Sequence, residues 1–334
     1  MKVLSLFDGI SCGMVALERA GIKVDRYVAY EIDKYAIQVS EKNYPQIEHK
    51  GDVFDANFKE YKGFDLLIGG SPCTYWSIAK NNRETTPDGI GGQLFMQYKR
   101  ALDESGCKYF LYENNYSIHQ NIKEFITEQL GVQPILFNSA LVSAQNRKRL
   151  YWTNIPGVEQ PEDRGIVVDD ILIGVGEQYA VMPCEGNKAH TIVASYAKAA
   201  ENPFSSYGSE RGRQRIAVKL NDENTRSNRE TIRIGTIGKG GQAQRIYSVR
   251  GKSVTLRANG GGQGAKTGPY KIDLPDGDYI IRKLTPIEAE RLQTLPDNYT
   301  AGISNTQRYK CIGNGWTVDV IAHIFKHLKD EVEE

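Results

Sequence analysis

The sequence has few of the residues that build disulfide frameworks or metal centres. Its 334 residues include 5 cysteines and 5 histidines. The cysteines are scattered along the chain, and no two of them form a CxxC pair. Disulfide-rich domains and zinc sites both need paired cysteine spacings, so neither is predicted. We expect a protein of a reducing cytoplasm that holds no metal ion.

Long apolar runs are scarce as well. No run approaches the roughly eighteen residues that a membrane-spanning helix needs. The apolar core of segment 1–9 is too short for a signal peptide, and no small-residue cleavage site follows it. We therefore expect no membrane partner. The length suits one large domain with a second, smaller one.

A large excess of charge of one sign is also absent, since the net charge is +1. Segment 205–272 nevertheless contains fourteen lysines and arginines against four acids, which leaves a negative balance on the rest of the chain. A basic segment on an acidic body indicates a polyanionic partner. The alternative is a solvated basic loop region, which charge alone does not exclude.

Three segments near the start of the chain predict strands that end at a small or acidic residue. Segment 2–7 predicts a strand, a glycine-bearing turn runs to Gly13, and 14–20 predicts a helix. The next two strands end at Glu31 and near Asp52. Since ligands bind at the carboxyl ends of parallel strands, these three tips predict an adenosine pocket. The turn has neither a GxGxxG nor a Walker lysine pattern, which disfavours dinucleotides and triphosphates. Each acid alone is explained as well by a helix cap or a surface charge.

The stretch before Cys73 organises the rest of the chain. Residues 66–68 predict a buried parallel strand that ends at Gly69 and Gly70. Pro72 then fixes the backbone directly before the cysteine. This order predicts one thiol at the carboxyl end of a strand, where open α/β sheets carry their chemistry. A buried, unreactive cysteine is the alternative on this stretch alone.

A carboxylate and two arginines follow later strands. Segment 108–112 predicts a strand that ends at Glu113, so a thiol and a carboxyl group are expected at neighbouring strand tips. This pair suits nucleophilic attack assisted by a proton donor. Arg147 and Arg149 alternate along an extended segment and so face one side, where they can hold a carboxylate, a carbonyl or a phosphate. The alternative is a basic edge strand.

Composition divides the chain into three parts. Residues 1–157 are typical of an α/β domain, 158–280 of a loop-rich and mostly β domain, and 281–334 of a return to α/β. Short strands in the middle part are predicted at 232–237, 245–249 and 253–256.

The last part opens with a helix start signal. Thr285, Pro286 and Glu288 together predict a capping box with proline at the first helical position. A loop is predicted over 310–316 and a final helix over 317–329.

Together these segments resemble the DNA cytosine-5 methyltransferase family. Six segments carry the resemblance in the family's order: Phe7-Asp8-Gly9 to Gly13, Ser71-Pro72-Cys73, Glu113-Asn114, Gln145-x-Arg147-x-Arg149, Arg282 to Leu292 and Gly313-Asn314. Each motif alone is weak, but six in order are highly specific, and they cover nearly the whole chain except about 174–245. The resemblance implies an α/β fold, with a Rossmann-like class I methyltransferase domain and a smaller, mostly β target-recognition domain inserted before the last helices.

The resemblance also implies S-adenosyl-L-methionine as methyl donor, S-adenosyl-L-homocysteine as product and no metal. In the family's pattern Phe7 stacks on the adenine, Glu31 holds the ribose hydroxyls and Asp52 contacts the adenine amino group. The implied cofactor-binding residues are Phe7, Asp8, Gly9, Ile10, Gly13, Glu31, Ile32, Asp52, Val53, Leu94 and Asn314.

The same resemblance implies the catalytic roles. Cys73 attacks C6 of a cytosine flipped out of duplex DNA, while Glu113 hydrogen-bonds or protonates N3. The implied catalytic residues are Pro72, Cys73, Glu113, Asn114, Arg147 and Arg149. Contacts to DNA are expected from Ser77, Arg226, Arg229, Arg233, Arg245, Arg250 and Arg257.

Three departures from the family's usual residues stand out. The cofactor turn has Asp8 and Ser11-Cys12 where many bacterial members have smaller residues. Thr74 follows the cysteine where glutamine is common, and Asn115 replaces the usual valine. The last two lie beside the target base, so they leave the details of the base pocket open but not the reaction class.

The implied partner is double-stranded DNA, and the implied enzyme is a monomer of bacterial or phage origin, with or without a cognate restriction endonuclease. A tRNA cytosine-5 methyltransferase would share the catalytic motifs, but the long basic insert favours duplex DNA. A third alternative is a catalytically silent regulator that binds DNA or cofactor without turnover. The presence of Cys73, Glu113 and Arg149 argues against it.

Overall fold

The structure is a computed structural model, and it describes residues 1–77, 82–173, 230–236, 245–256, 268–273 and 279–332. The strands are β1 (Lys2–Leu6), β2 (Arg26–Tyr30), β3 (Glu48–His49), β4 (Leu66–Gly69), β5 (Tyr109–Asn115), β6 (Ile135–Asn138), β7 (Lys148–Thr153), β8 (Arg233–Thr236), β9 (Arg245–Ser248), β10 (Tyr270–Asp273) and β11 (Tyr279–Arg282). The α-helices are α1 (Cys12–Arg19), α2 (Lys34–Asn43), α3 (Ile90–Ser105), α4 (Gln120–Leu130), α5 (Pro286–Leu292), α6 (Asn305–Asn314) and α7 (Val318–Val332).

The chain forms two compact units. The first contains 1–139, 147–162 and 315–334, and the second contains 140–146 and 163–314. These units follow contacts in space. The boundaries predicted at 157 and 280 follow composition, and they stay a prediction.

The first unit is built on a seven-stranded sheet with the order β3-β2-β1-β4-β5-β7-β6. The pairs from β3 to β5 are parallel, whereas β7 runs antiparallel to both β5 and β6. The chain moves outward from β1 to β3 and then returns to β4 on the other side of β1. In open α/β sheets this reversal of order forms a ligand crevice at the carboxyl ends of the two central strands. A ligand site is therefore expected at the carboxyl ends of β1 and β4.

Burial explains why these segments form strands. All four residues of β4 and the last four of both β1 and β2 are buried, as expected for parallel strands covered on both faces. One hydrophobic cluster of this unit contains residues of β1, β2, β4, β5 and α3, with Trp76 and Trp152 fully buried in it. Burial on both faces makes the sheet a rigid support for the loops at its edge.

The second unit has its own sheet, with the order β11-β10-β9-β8. Here β10 pairs parallel with β9 and antiparallel with β11, and β8 pairs antiparallel with β9. A separate hydrophobic cluster includes Tyr247, Tyr270 and Leu292. The predicted capping box is confirmed, because the Thr285 hydroxyl accepts from the Glu288 backbone N–H while the Glu288 carboxylate accepts from that of Thr285.

Three predictions about local structure are wrong. Segment 253–256 is not a strand, since Ser253 makes a single bridge to Gln145. Residues up to Asn314 belong to α6, although their glycines suggested a loop, because the helix has no apolar periodicity that the sequence could reveal. Finally, β5 is longer than the predicted strand over 108–112, because antiparallel pairing with β7 extends it over three polar residues to Asn115.

One of the fourteen basic residues of segment 205–272 is internal. Lys252 is fully buried, and its Nζ donates to the carbonyl oxygens of Ala140 at 2.6 Å, Ser143 at 3.0 Å and Ile166. Three acceptors match the three donors of an ammonium group. Burial lowers the pKa of Lys252. This lysine joins three segments of the second unit and is not part of a surface for a polyanion.

The Lys252→Met substitution should destabilise the protein by about 2–4 kcal/mol. It leaves three buried carbonyl groups without this donor, which costs more than the exposed ion pairs of the surface are worth. Urea unfolding followed by circular dichroism measures the change. The matched control is Lys326→Met on the exposed side of α7, which should change the free energy of unfolding by less than about 0.5 kcal/mol. Equal effects of the two substitutions would contradict the role of Lys252.

Candidate active site

The loop after β4 brings Cys73 to the edge of the sheet. It runs through Ser71 and the exposed Pro72 into a one-turn 3₁₀ helix, Cys73–Tyr75. The buried hydroxyl of Ser71 shares a 2.6 Å hydrogen bond with Tyr112 of β5. Since Ser71 is tied to the neighbouring strand, the backbone at Cys73 stands at the carboxyl end of β4, as predicted.

Two other cysteines of the first unit are poor candidates for a nucleophile. Burial raises the pKa of Cys12 to about 12 and also raises the pKa of Cys107. A thiol that stays protonated at neutral pH is a weak nucleophile. Cys12 and Cys107 are therefore less suited than Cys73 to act as the nucleophile.

Glu113 lies in β5 and has a donor on each carboxylate oxygen. Its Oε1 pairs with Nε of Arg149 at 2.9 Å, and its Oε2 accepts a hydrogen bond from the indole Nε1 of Trp316 at 3.1 Å. The side chains of Glu113 and Arg149 are 12% and 11% exposed. A buried carboxylate needs such partners, and a carboxylate with about four acceptor positions retains room for a ligand.

Gly70 allows the Glu113 carboxylate to lie against the loop that leads to Cys73. A Cβ atom at Gly70 would lie 2.9 Å from Oε2 and 3.0 Å from the backbone oxygen of Glu113. The pairing of Gly69 with Tyr112 brings the two segments side by side. The structure thus joins the cysteine loop and the carboxylate that the sequence placed forty residues apart.

Arg149 has a second partner on β5. Its Nη1 donates to the side-chain oxygen of Asn115, at a long 3.4 Å, and Asn115 is its partner in the β5–β7 register. The guanidinium fork can reach Glu113 and Asn115 together because both point to the same face of β5. Asn115, noted above as a departure from the family's valine, therefore supports the arginine.

Arg147 has different partners from Arg149. It is 4% exposed, and its Nη2 donates to the carbonyl oxygen of Gly315 at 3.0 Å. The Ser139 hydroxyl donates to that of Thr317 at 2.9 Å. Together these contacts hold the turn that contains Trp316. The Nη2 atom of Arg147 thus donates to the protein's own backbone.

Asn114 is buried and also faces the protein. Its Nδ2 donates to the Tyr112 hydroxyl at 3.2 Å and to the Ser71 carbonyl at 3.5 Å. These contacts tie the cysteine loop to β5. A direct contact of Asn114 with a substrate stays a prediction.

The turn between β1 and α1 has an unusual backbone. Phe7 and Ser11 both have φ of 58°, and Gly9 has φ of 63°. Left-handed φ values cost energy for residues other than glycine, and they cluster at ligand sites. The Asp8 carboxylate holds the turn by accepting from the hydroxyls of Ser5 at 2.6 Å, Tyr27 at 2.6 Å and Ser11 at 2.5 Å. Asp8 and Ser11, which differ from the family's usual residues, therefore stabilise the turn by hydrogen bonds within the protein.

Glu31 lies at the end of β2 beside this turn. Its carboxylate accepts from the backbone N–H groups of Gly9, Ile32 and Asp33, each at 2.8 Å. Burial raises the pKa of Glu31, while these three bonds oppose the shift. Ile32 next to it is 73% exposed, which is unusual for an apolar residue of this size. A polar acceptor beside an open apolar surface fits a ligand with hydroxyl groups and a flat ring.

The remaining predicted cofactor residues have varied environments. The Asp52 side chain accepts from the backbone of Phe54, and Leu94 is half-buried on α3. Gly13 is buried so tightly that a Cβ atom there would lie 2.4 Å from Ile68 Cδ1. Ile10 and Val53 are buried too, so that their side chains belong to the core, and Asn314 is exposed at the end of α6. Direct contacts of these residues with a cofactor stay predictions.

The predicted DNA-contacting residues are only partly described. Arg226, Arg229 and Arg257 lie outside the described residues, and Ser77 is half-buried. Of the others, Arg233 and Arg250 are exposed, and Arg250 lies 3.9 Å from an Asp273 carboxylate oxygen. Arg245 is half-buried, and its Nε has no hydrogen-bond partner in the described part of the chain.

Sequence reasoning missed Trp316. No spacing pattern marks it, although it is one of only 3 tryptophans and lies two residues after the Gly313-Asn314 motif.

Among the described residues, no group of three or more His, Cys, Asp or Glu side chains could hold a metal ion. Every helix of the described ranges is too short or too polar to cross a membrane.

Comparison with known proteins identifies relatives over the whole chain. The family model for C-5 cytosine-specific DNA methylase matches residues 1–330. The type II methyltransferase M.HhaI of Haemophilus parahaemolyticus is 28% identical over 97% of this chain and 93% of that protein. The orphan methyltransferase M.SPRI of Bacillus phage SPR is 26% identical over 98% of this chain and 97% of that protein.

Solved structures share the fold at low sequence identity. The Entamoeba histolytica methyltransferase EhMeth superposes with a TM-score of 0.68 at 15% identity, covering 100% of this chain and 99% of that one. The Dnmt2 methyltransferase of S. pombe gives a TM-score of 0.59 at 15% identity, with 100% of each chain covered. The predicted α/β fold is thereby confirmed.

The Gly70→Ala substitution should destabilise the protein by about 1–3 kcal/mol, because the added methyl group overlaps the Glu113 carboxylate. Urea unfolding measures this loss. In a Glu113→Ala background the same substitution should cost less, since part of the overlap is gone. Additive losses in the double variant would show that the Glu113 side chain does not restrict position 70.

Proposed function

Because the chain belongs to the C-5 cytosine-specific DNA methylase family, which makes it a DNA cytosine-5 methyltransferase, we propose that it methylates a flipped cytosine in a specific duplex sequence through a covalent bond between Cys73 and C6. One observation carries the proposal. The carboxylate of Glu113, held by Arg149 and Trp316, lies against the loop that bears Cys73.

The chemistry requires both residues. C6 of cytosine is a poor electrophile until negative charge in the ring is neutralised, so the site needs a thiolate and an acid together. As the Cys73 thiolate bonds to C6, the displaced electron pair moves toward N3 and C5, and Glu113 in its protonated form provides the proton at N3. Methylation then occurs at C5. Loss of the C5 proton to water returns the electron pair that breaks the sulfur–carbon bond, and the N3 proton goes back to Glu113.

Arg149 and the neighbouring residues orient the acid. The guanidinium on Oε1 fixes which carboxylate oxygen faces the base, and Asn115 restrains the guanidinium. Arg147 and Asn114 act one step away, since Arg147 holds the turn of Trp316 and Asn114 holds the cysteine loop. Pro72 limits the backbone directly before Cys73.

The residues at the ends of β1 and β2 fit S-adenosyl-L-methionine, which supplies an electrophilic methyl group when bound. Glu31 would hold the ribose hydroxyls, and Phe7 and Ile32 would contact the adenine. Asp52 would accept from the adenine amino group. The wider set proposed to hold the cofactor comprises Asp8, Gly9, Ile10, Gly13, Val53, Leu94 and Asn314.

The target carbon is inaccessible within a duplex, so the base must be flipped out at a cost of a few kcal/mol. Contacts of basic residues with phosphates can offset that cost. We propose the exposed arginines Arg233 and Arg250 for this role, together with Arg226, Arg229, Arg245, Arg257 and Ser77. We also propose that the enzyme acts as a monomer. Type II and orphan methyltransferases both occur among its relatives, so a paired endonuclease and an orphan role stay alternatives.

Covalent trapping tests the proposal. Bisulfite sequencing of DNA from expressing cells first identifies the methylated sequence. A duplex with 5-fluorocytosine at that position is then incubated with enzyme and S-adenosyl-L-methionine. Fluorine cannot leave as a proton does, so the adduct should persist, and mass spectrometry of the digest should locate it at Cys73.

The controls separate the alternatives. Cys107→Ala should still form the adduct, and Cys73→Ala should form none and should not methylate. A Cys73→Ala protein that still transfers methyl groups would rule out the mechanism. A parallel assay on tRNA should give no transfer, and transfer to tRNA without transfer to DNA would favour the tRNA-modifying alternative.

The Glu31→Gln substitution should weaken S-adenosyl-L-homocysteine binding about 10- to 100-fold, because hydrogen bonds to a charged group are worth about 1.5–3 kcal/mol. Burial raises the pKa of Glu31, so the wild-type carboxylate should protonate at higher pH than an ordinary glutamate, and affinity should fall as the pH is lowered. Calorimetry between about pH 5 and 8 measures both effects. The exposed control Glu124→Gln should bind like wild type, and an unchanged affinity in Glu31→Gln would exclude the ribose role.

A further inference from the structure

Trp316 contacts both halves of the candidate active site. Its indole Nε1 donates to Oε2 of Glu113 at 3.1 Å. On the other side, its ring lies by the start of α1, directly after the turn that follows β1, where a Cβ atom at Gly13 would lie 3.7 Å from its Cζ3. One half-buried side chain thus connects the carboxylate with the turn proposed to hold the cofactor.

The turn that carries Trp316 is firmly held. The buried Arg147 donates to the carbonyl of Gly315, the residue before it. The Ser139 hydroxyl donates to the buried Thr317, the residue after it. A side chain anchored on both sides is suited to position another group, because its own position is restricted.

The bond to Oε2 does something that Arg149 alone does not. The terminal torsion of a glutamate is broad, so a donor on Oε1 alone leaves the plane of the carboxylate free to turn. A second donor on Oε2 fixes that plane. Indole is a donor only, so Trp316 cannot take the proton that Glu113 would deliver. The second lone-pair position of Oε2 remains to carry the proton that Glu113 would deliver to N3 of the base.

We propose that Trp316 is a positioning residue for methyl transfer: its indole N–H fixes the Glu113 carboxyl group toward the base, while its ring supports the start of α1 at Gly13, directly after the turn proposed to hold the cofactor. This inference rests on the proposed function, because it assigns Trp316 a role through Glu113. A residue that only fills space would tolerate phenylalanine, which keeps an aromatic ring and lacks the N–H donor. The N–H group therefore separates a positioning role from packing.

Two substitutions test the two contacts separately. Trp316→Phe should lower kcat about tenfold, as expected for loss of one hydrogen bond to a charged group, and should leave the Kd of S-adenosyl-L-homocysteine within about twofold. Trp316→Leu removes the ring as well, so it should also weaken that Kd several-fold. Single-turnover methylation of the bisulfite-mapped duplex gives the rate, and calorimetry gives the Kd.

The matched control is Trp152→Phe. This tryptophan is fully buried and donates from its own Nε1 to the Thr127 hydroxyl at 2.9 Å, so the same atoms are lost while the hydrogen bond to Glu113 is kept. Assayed well below its unfolding midpoint, it should keep the wild-type kcat. A tenfold loss in this variant too would show that the change is a general effect of destabilisation and would overturn the inference.

The Glu113→Gln background separates the inference from the proposed function. Glu113→Gln has no acid proton to deliver, so its rate should fall at least a hundredfold, and adding Trp316→Phe should cost less than about twofold more. A wild-type rate in Glu113→Gln would overturn the proposed function itself. A strongly impaired Glu113→Gln beside a Trp316→Phe protein with wild-type kcat would overturn the inference alone, as would full additivity in the double variant.

Discussion

The carboxyl group of Glu113 is the group around which the first unit is arranged. A largely buried polar group is costly unless partners surround it, and here Arg149 and Trp316 supply one donor to each oxygen. Those donors come from β7 and from the turn before α7, which are far from β5 in sequence. Because Gly70 has no side chain, the same carboxylate also lies against the cysteine loop. The environment of this one carboxyl group thus accounts for the positions of Arg149 on β7, Gly70 and Trp316.

The reversed strand β7 does more than close the sheet. Its antiparallel pairing with β5 places Arg149 opposite Asn115 and extends β5 over residues that have little strand preference of their own. Arg147, directly before β7, holds the turn that presents Trp316. Neighbouring arginines of one motif therefore have separate tasks, one at the carboxylate and one at the backbone that supports it.

The second unit shows why charge counts need a structure. Lys252 belongs to the basic segment that indicates a polyanionic partner, yet it is buried and binds three carbonyl groups. Arg233 and Arg250, by contrast, are exposed. Composition reports the sum of charges and cannot tell which side chains point into the protein, since that depends on segments 140–146 and 163–171 coming together.

The sequence by itself determined the parallel strands, the tips at Gly9, Glu31 and Cys73, and the capping box at Thr285, because these depend on local apolar runs, glycines and capping residues. The family followed from motif order. Only the tertiary structure decided that β5 continues past Glu113, that Asn305–Asn314 is a helix, and that Arg147 faces backbone while Trp316 reaches the carboxylate. Those features arise from pairing and packing between segments distant in the chain, and no local pattern of residues encodes such contacts.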